Sequence, residues 1–408
     1  MFFEILLFTA AGSLLGIAAG LVPGLHPNTV LLLLFALPLL AYGVGPYQLI
    51  SLVVSMAVTN TIVNFIPSIF LGAPEGETAL SVLPGHRMLL RGEGYSALFM
   101  TVAGGIFVTL FTVISLPFMM WFIPFIYSGM HMYTHVLLLI LLAVLLRMER
   151  GHAKKALSFF MFAVSGMAGF MLLSSLPQET VLFPALGGLF GLPLLIAGSS
   201  VSSFPRQKTR RNVRFSPLKG GLAGWGSGLL VGLLPGIGSA QAGVLSNALL
   251  RGREKDFLVA LGGINTANIL FTFVALGTIA KARSGAATFI YEAIGVPGAS
   301  ELCLIALIAL LSCFTASAAT LWLGKRSARL LYGADYGKLN ACVVIFIYAM
   351  ALLFTGVAGM IILTLCTIIG LSCHMAGVKK MYLMGFLMLP TILYFSGINP
   401  AALIFMGW

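Results

Sequence analysis

Charge is what this chain has least of. Only 8% of its 408 residues are Asp, Glu, Lys or Arg, where a soluble domain carries roughly 25%. With 59% hydrophobic residues and a mean hydropathy of +1.05, that scarcity excludes a water-soluble fold and leaves a polytopic membrane protein, multi-pass in the cytoplasmic membrane. No stretch is polar enough to form a separate soluble domain, and at roughly 20 residues per span the length allows about ten crossings. The 11 acidic residues sit mostly in loops or at segment ends, so no acidic pair stands mid-span for acid–base work. HExxH, Walker A and dinucleotide fingerprints are all absent, and with them the chemistry of metalloproteases, NTPases and dehydrogenases; no enzyme, cofactor or metal site is expected. Cys303, Cys313, Cys342, Cys366 and Cys373 lie inside apolar runs without a CxxC pair, which excludes a disulfide framework and reads as small buried hydrophobes. The apolar run that starts at Phe2 has no basic flank before it and is read as structure, not as a signal peptide.

What is present is a broken hydrophobic segment that occurs twice. Gly20 to Asn28 read GLVPGLHPN and Gly232 to Ala240 read GLLPGIGSA, so Pro23-Gly24 maps onto Pro235-Gly236 with a shift of 212 residues. Proline removes a backbone donor and glycine tolerates positive φ, so each pair breaks a helix inside an apolar run. In a bilayer such backbone survives only in protein or beside a wet cavity, and a matched pair of breaks is the best sequence pointer to a transporter's binding site. A second match follows each break. Asn60-Thr61 maps onto Asn265-Thr266 with a shift of 205 residues, and Asn64 and Asn268 extend the two clusters. Asn60 and Asn64, at i and i+4, share a helix face, as do Asn265 and Asn268 at i and i+3. Such carboxamides act either as glue between helices or as a site; their recurrence at matched positions favours the site.

The fold expected is therefore all-α, with two inverted-topology repeats at 1–203 and 220–408, each a Pro-Gly-broken hairpin plus about five transmembrane helices, joined by the basic linker 204–219. The stretch Gly72 to Gly94 reads as too polar and too broken for a span, and Ile290 to Glu301 takes its place in the second half, Pro297-Gly298 echoing Pro84-Gly85. The formal net charge of +12 points to basic cytoplasmic loops and not to nucleic acid. If the N-terminus is outside, the loops at 85–94, 147–155, 204–219, 251–256, 325–338 and 379–380 are cytoplasmic, and they hold 21 of the 23 Lys and Arg residues. An odd number of crossings then separates the two breaks, so one hairpin enters from outside and the other from the cytoplasm.

The candidate substrate-binding residues are Pro23, Gly24, Asn28, Asn60, Thr61, Asn64, Pro235, Gly236, Ser239, Asn265, Thr266 and Asn268. Ser239 and Gln241 correspond to Pro27 and Thr29, and either half can offer hydroxyls and N–H groups to an anion at a helix N-terminus. Coupling-ion candidates are His26, Asn60 and Asn265, for Na+ through carboxamide oxygens or H+ through the imidazole. Glu75, Glu77, Glu292 and Glu301 flank the broken stretches and are read mainly as solvated. His131 and His135 have a metal-ligand spacing with no third ligand nearby and are read as interfacial.

Four motifs carry a resemblance: GLVPGLHPN at Gly20, the Asn60 to Asn64 cluster, GAPEGETALSVLPGHRMLLRGEGYSAL from Gly72 to Leu98, and GLLPGIGSAQAG at Gly232. Together they resemble the large permease (TctA) of the tripartite tricarboxylate transporters and its shorter relatives. The resemblance implies a secondary, ion-coupled, elevator-like transporter for an organic anion such as a di- or tricarboxylate. The partners it implies are a small membrane subunit and an extracytoplasmic solute-binding protein, with membrane lipid around the chain; a homodimer stays open. Two other readings stay open on the residues, a lipid or polyprenyl-phosphate translocase and a non-transporting structural membrane protein.

Overall fold

The computed structural model describes residues 2–22, 27, 30–31, 43–71, 79–130, 133–197, 205–208, 215–233, 239–250, 253–330, 332 and 335–398. Among them every regular element is helical. The first half contains α1 (Phe2–Leu21), α2 (Pro46–Val63), α3 (Ala79–Leu90), α4 (Gly94–Met130), α5 (Thr134–Arg147), α6 (His152–Ser175), α7 (Gln178–Leu186) and α8 (Leu192–Ala197). The second contains α9 (Pro217–Leu233), α10 (Ser239–Leu249), α11 (Glu254–Ile279), α12 (Gly285–Ile294), α13 (Ala299–Leu330), α14 (Tyr336–Met375) and α15 (Gly385–Phe395). Seven helical stretches among the described residues are long and apolar enough to cross a membrane, and the protein is a polytopic, multi-pass membrane protein.

The described helices sort into two groups. One is built on α1–α4 and α9–α13, the other on α5–α8, α14 and α15, so each half of the sequence contributes to both. The most extensive contact between the groups lies between α10 and the short 3-10 turn Lys380–Met384 that precedes α15. At the centre of the first group are α2, whose span is wholly enclosed by protein, and α11, whose span is mostly buried. Both are apolar all round, the pattern of a helix surrounded by other helices.

Glycine permits the close packing around this pair. Along α1, a Cβ on Gly12, Gly16 or Gly20 would meet Leu52, Met56 or Val63 of α2; along α9, one on Gly220, Gly224, Gly228 or Gly232 would meet Asp256, Ala260, Ala267 or Phe271 of α11. Side-chain-free faces let backbones approach where no hydrophobic effect drives helices together. Gly104 brings α4 onto α11, its missing Cβ falling against the Val259 carbonyl oxygen.

Polar contacts mark the two ends. At one, Arg87 and Arg91 pair with Glu254, Gln207 bonds Leu89 O and Gly94 N, and Ser216 N bonds Asp256. This end unites the basic loops 85–94, 204–219 and 251–256. At the other, Gln48 bonds Glu4, Tyr47 reaches Glu301, and Gly277 packs on Leu302. Thus α1 and α2 start at the Glu4 end, whereas α9 and α11 start at the basic end.

Three local expectations need revision or gain detail. Pro84-Gly85 does not break the chain: both lie inside α3. Pro84 sacrifices one bond to the preceding turn, and Gly85 lets α3 lie on Ile69. Pro297-Gly298, by contrast, sits in the non-helical link after Gly295, a left-handed glycine with φ +73°. Cys303 and Cys342 are exposed, unlike the other three cysteines.

The spans expected at Leu339 to Thr355 and Gly359 to Val378 are the two legs of α14. Gly356 has φ 66° and ψ −161°, and Tyr348 Oη lies 3.2 Å from Thr364 Oγ1. A straight helix would hold those residues about 24 Å apart, so the chain folds back at Gly356.

Candidate functional site

The Asn-Thr clusters meet. Helices α2 and α11 run antiparallel and cross where Thr61 Oγ1 and Thr266 Oγ1 come within 3.4 Å. Thr266 follows the start of α11 by twelve residues and precedes its end by thirteen, which puts the crossing about 18 Å from either end of that helix, near mid-depth. Asn265 Nδ2 donates to Thr61 O at 2.9 Å and to Asn64 Oδ1 at 3.2 Å. The threonine hydroxyls also bond back to their own helices, Thr61 to Val58 O and Thr266 to Gly262 O.

Local backbone explains why these groups project here. Asn64 terminates the regular part of α2, and Pro67, with no N–H to continue the ladder, opens a π-helical turn over Pro67–Leu71. Such widened turns recur at functional sites. A third helix closes on the crossing because Gly105 of α4 has no side chain: a Cβ there would stand 3.1 Å from Thr266 Oγ1. The Gly104-Gly105 pair was the available sequence signal for this third wall, and the reading by clusters passed over it.

The clusters are not wholly consumed by holding helices together. Among the described residues no hydrogen-bond partner reaches Thr59 Oγ1, Asn60 Nδ2, Asn64 Nδ2 or Asn265 Oδ1, although each atom is buried. Asn60, Thr61, Asn64, Asn265 and Thr266 are all at most 5% exposed. Leaving a buried polar atom without a partner costs about 1–3 kcal/mol, and native proteins place few such atoms outside functional sites. Two N–H donors suit an anion, whereas a carboxamide oxygen and a hydroxyl suit a hard cation. Thr59, the first residue of the TNT triplet, belongs with this set.

The described approaches to both Pro-Gly stretches end here. Gly20 packs on Val63 and the Asn64 backbone, and Gly232 packs on Phe271 beside the Asn268 carbonyl. Asn268 is half-buried, and Ser239, at the start of α10, is 4% exposed. Pro23, Gly24, His26, Asn28, Thr29, Pro235 and Gly236 lie outside the described residues, as do Glu75, Glu77 and His131. Of the acids flanking the breaks, Glu301 accepts bonds from Gly298 N and Ser300 Oγ at the start of α13, the work of a helix cap. Groups of three or more His, Cys, Asp or Glu able to hold a metal do not occur among the described residues.

Comparison with known proteins adds two findings. A family model described as the tripartite tricarboxylate transporter TctA family matches residues 6–385. An uncharacterized protein of Methanocaldococcus jannaschii is 30% identical over 291 residues, covering 69% of this chain and 71% of its own length. No solved structure matches.

Proposed function

Since the chain belongs to the tripartite tricarboxylate transporter TctA family, we propose that it moves a small organic anion, a di- or tricarboxylate, across the cytoplasmic membrane as an ion-coupled secondary transporter. The observation that carries the reading is the crossing of α2 and α11, where matched Asn-Thr clusters keep buried donors and acceptors without partners among the described residues. In this reading Asn60 and Asn64 donate to the carboxylate, helped by the N-terminus of α10 at Ser239. Asn265 Oδ1 and Thr59 Oγ1 face a co-transported cation. Such a cation offsets the cost of bringing carboxylates to mid-depth, several kcal/mol per charge, which helix ends worth ~0.3–2 kcal/mol each offset only in part. Na+ suits these oxygen ligands, and a proton on His26 is the alternative.

The repeats are proposed to be inverted. Support comes from α1 and α9, which start at opposite ends and each reach the depth of the site before their Pro-Gly break. Transport is proposed to be elevator-like, the helix group that holds α2 and α11 sliding against the group of α5–α8, α14 and α15. A small membrane subunit and an extracytoplasmic binding protein are the partners the family implies.

The test is uptake of labelled citrate and succinate into proteoliposomes under imposed Na+ or H+ gradients, with and without those partners. Uptake driven by a gradient and lost in Asn60→Ala is the expected outcome. Failure of every carboxylate under either gradient, with the partners present, sinks the proposal.

A further inference from the structure

Outside the α2/α11 crossing, the half-buried Lys380 has an ammonium group that is enclosed without a counter-charge among the described residues. Lys380 opens the turn Lys380–Met384, and its Nζ has no accessible surface and no hydrogen-bond partner among the described residues. The carboxylate close to this turn is already taken. Glu149, 3% exposed, receives Lys379 Nζ at 2.6 Å and Tyr382 Oη at 3.3 Å. Tyr382 also donates to Leu145 O at 2.8 Å, so this group is closed on itself and leaves Lys380 aside.

The place of Lys380 gives its isolation a meaning. The turn touches α10, the main described contact between the two helix groups, and α10 (SAQAGVLSNAL) contains no charged residue. Through Lys379 the turn is tied to Glu149 in the link between α5 and α6, in the basic loop 147–155. An ammonium in such a position is stabilised by an anion that enters with its own charge.

We propose that Lys380 Nζ is the cationic group of a second anion subsite, at the junction of α10 with the 380–384 turn, which takes a carboxylate passing between the central crossing and the basic face. This inference rests on the transport reading above and adds to it the positive charge that the crossing itself lacks.

Burial draws the Lys380 ammonium down to about 7, partly opposed by the Cys373 thiol of α14. The other titratable groups in and against the turn are Glu149, Lys379 and Tyr382, with Cys373 of α14. None of them is placed as a counter-ion to Lys380. A bound carboxylate favours the protonated form and raises its pKa, so binding takes up a proton, and affinity falls as pH rises from neutrality.

The experiment measures binding of succinate, and of citrate in parallel, to the purified full-length protein at about pH 6.5 and about pH 8.5. Wild type, Lys380→Met and Lys380→Arg are compared, each checked for monodispersity and melting temperature. Wild type is expected to lose affinity by roughly tenfold or more over that interval. Lys380→Met is expected to bind weakly at both values and to melt no lower than wild type, because it removes a buried, unpaired cation. Lys380→Arg, charged throughout, is expected to bind with little pH dependence. If wild type binds succinate and Lys380→Met matches it in affinity and pH dependence, the subsite is overturned and the transport reading stands. If Lys380→Met melts well below wild type, Lys380 has a structural partner and the subsite is likewise overturned. If wild type binds neither succinate nor citrate at either pH, both readings fall.

Discussion

Replacing Asn265 by alanine separates a binding site from a structural clamp, because its two side-chain atoms are in opposite situations. Nδ2 holds α11 to α2 through Thr61 O and Asn64 Oδ1. Interhelical bonds in membranes are worth roughly 0.6–2 kcal/mol, which is the stability Asn265→Ala forfeits. Oδ1 is buried without a partner among the described residues, and deleting it recovers about 1–3 kcal/mol of desolvation cost. The two nearly cancel, so the melting temperature in detergent should stay close to wild type. Succinate or citrate affinity should behave otherwise. A carboxamide that contacts the anion or its cation contributes at least about 1.4 kcal/mol, or tenfold in affinity. Asn60→Ala sharpens the comparison: Asn60 Nδ2 has no partner among the described residues, so this variant should be at least as stable as wild type and should also lose affinity. Binding by isothermal titration, beside thermal melts on the same preparations, reads both quantities. Variants that melt well below wild type while binding normally would refute the reasoning and make the clusters glue.

Three further outcomes test the packing and topology. Gly104→Ala forces a Cβ into the Val259 carbonyl oxygen, whereas Gly129 has no atom within 4 Å. The first should destabilise by about 1–3 kcal/mol or more and Gly129→Ala hardly at all; equal melting temperatures would contradict the tight α4/α11 crossing. Gly356→Ala, at φ 66° and ψ −161° with open space around its missing Cβ, should cost roughly 1–3 kcal/mol through backbone strain alone, read as a lower melting temperature; a melting temperature equal to wild type would contradict the fold-back at Gly356. In a cysteine-free background, Lys208→Cys should react with a membrane-impermeant maleimide from the cytoplasm and Val44→Cys from outside, and labelling of both from one side rejects the inverted arrangement.

Much was legible without coordinates, for reasons local to the chain. Sparse charge and long apolar runs specify helices that satisfy their own backbone in lipid, and the two shifts, 212 residues for Pro-Gly and 205 for Asn-Thr, can be read by aligning the chain with itself. Pairing the two clusters was an inference from that recurrence. Tertiary structure decided how they pair: Asn265 uses its nitrogen on Thr61 and Asn64, while Asn60 Nδ2 and Thr59 Oγ1 remain without described partners. Hydrogen bonds between residues about 200 positions apart depend on helix rotation and depth, which periodicity leaves free. The same holds for Pro84-Gly85, which reads as a break and lies in α3, because packing on Ile69 outweighs the propensity of two residues. Lys379 and Lys380 look alike as neighbours in a basic loop; the fold gives Lys379 the carboxylate of Glu149 and covers the Nζ of the half-buried Lys380, since burial and counter-charge are set by whichever elements close over a side chain.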